Sequence, residues 1–206
     1  MNTEPTIVVL AAGQGSRYRG PSHKLEQPLG EHGSVLATTV WHAIESRLPV
    51  IVVTTEPLLA QIAQQLAKRD VVVVDEAEAR RGMARSIASG VSARADAAGW
   101  LILPGDMPLV QPATMRAVAS ALAELPVAYA QYRGRRGHPV GFASALFSEL
   151  SQLDGDDGAR RVVARYPGQA VEVDDPGVLV DIDTEADLDR VRVAVGASAA
   201  LPTNGG

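Results

Sequence analysis

The 206-residue chain contains no cysteine, which excludes disulfide bonds, thiolate metal sites and a cysteine nucleophile together. It also lacks long apolar runs. Residues 48–53 and 71–74 are among the longest, and they have the length of strands, far short of the roughly 20 residues a membrane-spanning helix needs. No charged segment leading into an apolar stretch stands at the amino terminus, so the expected location is the cytoplasm, with no membrane partner. A basic balance is missing too: 19 Lys and Arg face 24 Asp and Glu, for a formal net charge of −5. That is the wrong sign for a nucleic-acid binder, so small molecules are the expected partners.

The most telling absence is local. From residue 9 to residue 24 there is no carboxylate, while Arg17, Arg19 and Lys24 supply positive charge around Gly13 and Gly15. Glycine lets the backbone take φ > 0 and bring N–H groups against phosphate oxygens, and the cations answer the remaining charge. The spacing matches neither a Walker A loop nor a dinucleotide-binding fingerprint. A glycine-rich segment can also be only a turn. Two further groups of cations, Arg80, Arg81 and Arg85, then Arg133, Arg135 and Arg136, also stand beside glycine, a pattern that suits small polyanions better than a polymer.

Length suits one domain, which we place at residues 1–196, able to bury roughly 70% of its unfolded surface. Residues 197–206 have no periodicity and read as a disordered tail. Apolar runs at 6–11, 49–55, 71–74 and 100–103 read as strands. Between and after them, helical spacing covers 35–46, with Ser34 as its N-cap, then 57–68, 84–94 and 112–124. Later come strands at 127–132, 139–142 and 178–182 and helices at 143–150, 158–166 and 184–195. The alternation implies an α/β fold: a Rossmann-like three-layer α/β/α arrangement, its sheet mostly parallel with an antiparallel element late in the chain. Ligands in such sheets sit at the carboxyl ends of the strands.

Asp106 stands at one of those ends, in a turn forced by Pro104, Gly105 and Pro108. Asp181 and Asp183 repeat the arrangement, and strand alternation would point them the same way. Two carboxylates meeting across a sheet edge suit Mg²⁺, a hard cation commonly shared with substrate phosphates. Other roles are open: Asp183 before Thr184 can open a helix as a cap, and Asp106 can fix a turn through backbone amides. His138, beside Pro139, is either a base near neutral pH or a structural hydrogen bonder. Asp156 and Asp157, between glycines, read as caps.

Several segments carry a resemblance. They are Leu10-Ala11-Ala12-Gly13 with Arg17 and Lys24, Gly82-Met83-Ala84-Arg85-Ser86, Pro104-Gly105-Asp106-Met107-Pro108, Arg136-Gly137-His138-Pro139-Val140, Gly155-Asp156-Asp157-Gly158-Ala159-Arg160 and Asp181-Ile182-Asp183-Thr184. Together, in this order, they resemble the MobA-like nucleotidyltransferases, most of all the molybdenum cofactor cytidylyltransferase branch. The resemblance implies transfer of CMP from CTP, or another NTP, to a phosphorylated molybdopterin cofactor, with a molybdoenzyme or its maturation chaperone as a further partner. It implies that Leu10, Ala11, Ala12, Gly13 and Gly15 receive the nucleotide and that Arg17 and Lys24 hold its phosphates. Asp106 and Asp183 would hold Mg²⁺, Gly82 and Ser86 would close over the nucleotide, and His138 would stand on the acceptor side. Ala12 speaks for cytidine, since the guanylyl branch has glycine there. Arg17 and Lys24 are seven apart, two more than the family's usual five, and Arg19 and His23 fall in the enlarged loop. Guanylyl or sugar-phosphate transfer, or noncatalytic carriage of the cofactor, are the alternatives.

Overall fold

A computed structural model describes residues 4–15, 17–20, 22–155, 158–166 and 168–199. Its first strand, β1 (Thr6–Ala11), shows why the sheet is central. Ile7, Val9 and Ala11 pack into one core, Val8 into another, and all four are fully buried. A strand covered on both faces must be apolar on both. The same holds for β2 (Val50–Thr54), where every residue is buried, and for β4 (Gly99–Pro104). With β3 (Val71–Val73), β5 (Val127–Tyr132), β6 (Arg135–Ala143) and β7 (Gly168–Glu172) they form one sheet in the order β3-β2-β1-β4-β6-β5-β7. Only β6, antiparallel to both β4 and β5, opposes the other strands.

Helices cover both faces. Helices α1 (Val35–Glu45), α4 (Pro112–Ala121) and α7 (Glu185–Ala199) bury residues such as Leu36, Met115 and Leu188 against Ile7, Leu101 and Leu103. On the other side, α3 (Met83–Ser92), α5 (Phe147–Ser151) and α6 (Arg160–Arg165) bury Ile87, Leu150 and Val162 against Val8, Ile51, Trp100 and Phe142. Ser34 caps α1 as expected, its Oγ accepting from the Ala37 N–H at 3.2 Å. After β1 the chain builds outward to β2 and β3, then returns to lay β4 on the other side of β1. The crevice between β1 and β4 is therefore the topological switch point, where α/β sheets place their ligands.

Four expectations need correction. The helix expected over 57–68 is a 3-10 turn at Glu56–Gln61 followed by turns; Thr55 offers no side-chain cap to start an α-helix. The strand expected over 178–182 is a 3-10 turn, Pro176–Leu179, followed by an extended segment outside the sheet. The helix expected over 143–150 shortens, because β6 runs on through Ala143. The loop after β3 contains a short helix, α2 (Glu76–Arg80), capped by Asp75, whose side chain accepts from the Glu78 N–H. Helix α7 continues through Ala199, past the expected start of the tail, and residues 200–206 lie outside the described residues, as do Asp156 and Asp157. No helix among the described residues is long and apolar enough to cross a membrane.

Candidate active site

The site begins where β1 and β4 end. Leu10 pairs with Pro104, and the Gly105 N–H donates to the Leu10 carbonyl at 2.8 Å, carrying the ladder one residue past β4. Asp106, the next residue, leaves the sheet and lines the cavity above it. Its carbonyl accepts from the Ile182 N–H at 3.1 Å, which draws residues 180–183 alongside without making them a strand. Asp181 and Asp183 thus reach the same cavity by an extended path. Capping of α7 falls to Thr184 instead of Asp183. The Asp187 carboxylate accepts from the Thr184 N–H at 2.8 Å and the Thr184 hydroxyl accepts from the Asp187 N–H at 3.2 Å, a reciprocal capping box. The Thr184 hydroxyl, which also donates to it, leads the interactions that hold the Asp187 carboxyl down at about 2. The Asp183 side chain is left for the cavity.

The acid-free loop folds over this edge. Gly15 adopts φ +60° as expected, whereas Gly13 is not in the left-handed region; its contribution is its carbonyl. The His23 ring fastens the loop: Nδ1 accepts from the Leu25 N–H at 3.2 Å, so Nε2 carries the proton and donates to the Gly13 carbonyl at 2.9 Å. His23 is therefore engaged in shaping the enlarged loop, and Arg19, an exposed residue, does not line the cavity.

At the centre, the Lys24 Nζ lies 2.6 Å from Asp106 Oδ2 and 3.2 Å from Asp183 Oδ1. Arg17 reaches the other Asp183 oxygen at 2.7 Å from the solvent side. Burial would push the Lys24 ammonium down, but Asp106 and then Asp183 outweigh it and hold it above its usual value. An ammonium thus occupies the place between two carboxylates where a metal cation would balance the same charge. Asp106 Oδ1 is buried with no hydrogen-bond partner, a cost unless a ligand or cation completes it. Among the described residues no three His, Asp or Glu side chains form a metal cage. Two carboxylates with a vacant oxygen suit a cation that also takes ligands from substrate phosphates, as Mg²⁺ does.

The cavity has a volume of about 760 Å³, and Arg17, Lys24, Arg80, Arg135, Arg136 and Arg160 line it against Asp106, Asp181 and Asp183. A chain of net charge −5 has therefore collected an excess of positive charge at one place, the signature of an anion site. Leu10, Ala12, Gly13, Gly15, Gly82, Ser86 and His138 line it too. Ala11 does not: strand alternation turns its side chain into the α1 core. Arg135 and Arg136 were visible beforehand as charges beside glycine, and Arg136 and Arg160 as members of segments that carry the resemblance, without a role assigned to any of the three. His138 borders this cavity and a second one of about 720 Å³. Burial pushes its imidazole pKa down, against the pull of a backbone hydrogen bond and Asp106, so the ring is neutral near pH 7 and does not serve as a phosphate-binding cation. A third cavity, about 310 Å³, adjoins at Ala12, Gly13 and Gln14 and is walled by Thr55, Pro57 and Glu76.

Comparison with known proteins agrees with this geometry. The family model described as MobA-like NTP transferase domain matches residues 7–171. The purine catabolism protein PucB of Bacillus subtilis is 34% identical over 203 residues, covering 91% of this chain and 96% of that one. A nucleotidyl transferase from Methanothermobacter thermautotroptrophicus superposes with a TM-score of 0.78 at 27% identity, over 95% of this chain and 99% of its own. Rv0371c of Mycobacterium tuberculosis H37Rv, solved in complex with manganese, does so with a TM-score of 0.73 at 29% identity, over 94% and 100%. Likeness that runs through nearly the whole chain, in sequence as in fold, makes the protein a member of the MobA-like NTP transferase family.

Proposed function

We propose that the protein transfers CMP from CTP to the terminal phosphate of a molybdopterin cofactor, with Mg²⁺ and with release of pyrophosphate. The observation that carries this reading is the Asp106–Lys24–Asp183 cluster at the switch point, roofed by an acid-free glycine loop. The base belongs in the small cavity beside Ala12 and the triphosphate beneath the loop, where Gly13 and Gly15 expose backbone and Arg17 and Lys24 supply charge. Asp106 and Asp183 would hold Mg²⁺, which when bound neutralises charge on the transferring phosphate and leaving group. Lys24, released from the carboxylates, turns to the triphosphate.

An oxygen of the acceptor phosphate attacks the α-phosphorus in line, a new P–O bond forms, and the bond to the β-phosphate oxygen breaks. The acceptor is already mostly dianionic near pH 7, so alignment and charge neutralisation matter more than a base. A neutral, half-buried His138 fits that division of labour. Support for the choice of base is Ala12, which lines both the triphosphate cavity and the small one. Support for the acceptor is the Gly137-His138-Pro139 segment of β6 at the boundary of the second cavity. The manganese complex of Rv0371c supports a divalent cation in this fold.

The test is to offer the purified protein CTP, GTP, ATP and UTP separately with Mg²⁺ and molybdenum-bound pterin cofactor, measuring pyrophosphate and the mass of the product. Pyrophosphate with CTP alone and a cytosine dinucleotide is the expected result. A guanine dinucleotide overturns the base assignment. Transfer only to sugar phosphates, or cofactor binding without pyrophosphate, overturns the acceptor or the chemistry.

A further inference from the structure

Asp106 stands in a turn that barely closes on itself. The Met107 N–H reaches the Pro104 carbonyl, and the Val110 N–H the Met107 carbonyl, at 3.4 Å each, beyond the usual length of an N–H···O bond. Asp106 therefore takes its place from outside the turn. A peptide unit is planar and loses most of its freedom once its carbonyl or N–H is held, and three successive units here are held by three different parts of the chain. The unit before Gly105 is held by β1, whose Leu10 carbonyl accepts from the Gly105 N–H at 2.8 Å. The unit after Asp106 is held by the 180–183 segment, whose Ile182 N–H donates to the Asp106 carbonyl at 3.1 Å. Between them, the unit joining Gly105 to Asp106 is held by a side chain: Thr39 Oγ1 of α1 donates to the Gly105 carbonyl at 2.9 Å. One turn further along α1, His42 Nδ1 donates to the Pro108 carbonyl at 2.8 Å, the proton being on Nδ1 because a carbonyl only accepts.

Residues three apart share a face of a helix, and the carbonyls that Thr39 and His42 take are also three apart, at 105 and 108. Thr39 is 1% exposed, and Gly105 and Pro108 are buried with it. Its neighbour Thr38, 3% exposed, shows the ordinary habit of a helical threonine. The Thr38 hydroxyl returns to the Ser34 carbonyl at 2.9 Å and lies 3.3 Å from the Leu29 carbonyl. Thr39 has the same local option in the Val35 carbonyl at 3.1 Å, but its closer partner is 66 residues away.

Resting on the assignment of Asp106 to the metal, we propose that Thr39 and His42 are positioning residues for that carboxylate. Helix α1 serves as a template: Thr39 fixes the peptide that enters Asp106 and His42 fixes the far side of the turn. With the Ile182 bond behind it, the Asp106 backbone is held on both sides of its Cα, and Oδ1, buried without a partner, is aimed at an incoming divalent cation. Neither Thr39 nor His42 touches a reacting atom. Losing such a contact behind a metal ligand typically weakens metal binding by about 10–100-fold.

The experiment titrates Mn²⁺ into the full chain, reading free ion by electron paramagnetic resonance, and follows deuterium uptake of segment 104–110 by mass spectrometry. Thr39→Val keeps the branched shape and removes the donor, Thr39→Ser keeps the donor, and Thr38→Val removes a buried hydroxyl that does not touch the turn. Thr39→Val should weaken Mn²⁺ binding about tenfold and speed exchange in 104–110, while Thr39→Ser stays within about threefold of the parent. Thr38→Val should lower the melting temperature yet leave Mn²⁺ affinity within about twofold. His42→Leu should weaken binding about threefold, and His42→Asn, which restores a donor, should recover it; this pair decides the question if Thr39→Val does not fold. Loss of the ion in Asp106→Asn together with parent-like binding in folded Thr39→Val, or equal weakening by Thr38→Val, overturns the proposal and leaves the metal assignment standing. If Asp106→Asn binds Mn²⁺ like the parent, the metal assignment fails and this proposal with it.

Discussion

Replacing Lys24 by methionine keeps most of the side chain and removes one positive charge from between two carboxylates. The charge lies 2.6 Å and 3.2 Å from them, and its side chain is 13% exposed. A divalent cation approaching the same oxygens of the free protein is repelled by the ammonium or must displace it. For charges about 4 Å apart that repulsion is about 1 kcal/mol per unit charge at a water-like dielectric and about 4 at an effective value of 20. A divalent ion doubles the lower figure to about 2 kcal/mol, so Lys24→Met should bind Mn²⁺ without nucleotide about thirtyfold more tightly than the parent or more. Turnover should move the other way, falling about 10²–10³-fold as for loss of a preorganised charge contact. Without metal the variant should melt below the parent, because Asp106 loses its ion-pair partner while Asp183 keeps only Arg17 on the solvent side, and Mn²⁺ should restore the loss. Electron paramagnetic resonance of free Mn²⁺, thermal unfolding with and without chelator, and pyrophosphate release read the three effects. Weaker or unchanged Mn²⁺ binding in a folded Lys24→Met protein would refute the claim that lysine and metal share one place.

Asp106→Asn should lower kcat/KM about 10²–10³-fold, since the amide cannot replace the charge, and a folded variant within about threefold of the parent would contradict the metal assignment. Asp187→Ala removes the capping box on α7 and should cost about 1 kcal/mol, lowering Tm by about 2–4 °C; an unchanged melt counts against it. Gly137→Ala places a Cβ 2.2 Å from the Val178 carbonyl, so the turn holding Val178 and Leu179 at the cavity must shift, and soluble protein should show weakened nucleotide binding by calorimetry. Burial depresses His42 and His138 below 6.5 in the folded state. The unfolded chain then takes up protons first as pH falls through 6.5, so their contribution is complete above that value and lost below it. Denaturant unfolding at pH 7.5 and 5.5 should show the drop; equal or greater stability at pH 5.5 would contradict it.

The parallel half of the fold was legible because its strands are apolar on both faces, while Ser34 caps α1 and Pro112 opens α4. The later half was harder. Strand β7 reads Gly-Gln-Ala-Val-Glu with no apolar run, and pairing with β5 defines it. The hairpin between β5 and β6 turns through Arg133 and Gly134, both with positive φ, and an arginine there gives no turn signal. Segment 178–182 has the composition of a strand, yet the chain holds it at Asp106 through a single backbone bond and gives it no strand partner. Of the site, the carboxylates and the loop cations could be named from spacing and type. That Lys24 would bridge Asp106 and Asp183, across 82 and 159 residues of chain, and that His23 would fasten Gly13, depend on tertiary placement that no local pattern encodes.

The central claim is transfer of the nucleotidyl group at this centre, and the most direct measurement follows phosphorus. CTP labelled at the α-phosphate or at the γ-phosphate is incubated with the protein, Mg²⁺ and the molybdenum-bound pterin cofactor, and the products are separated. The account predicts α-label in the pterin product and γ-label in pyrophosphate alone, with neither seen for Asp106→Asn. Label from the γ-phosphate on the acceptor, or α-label released as free CMP with no product, would contradict it.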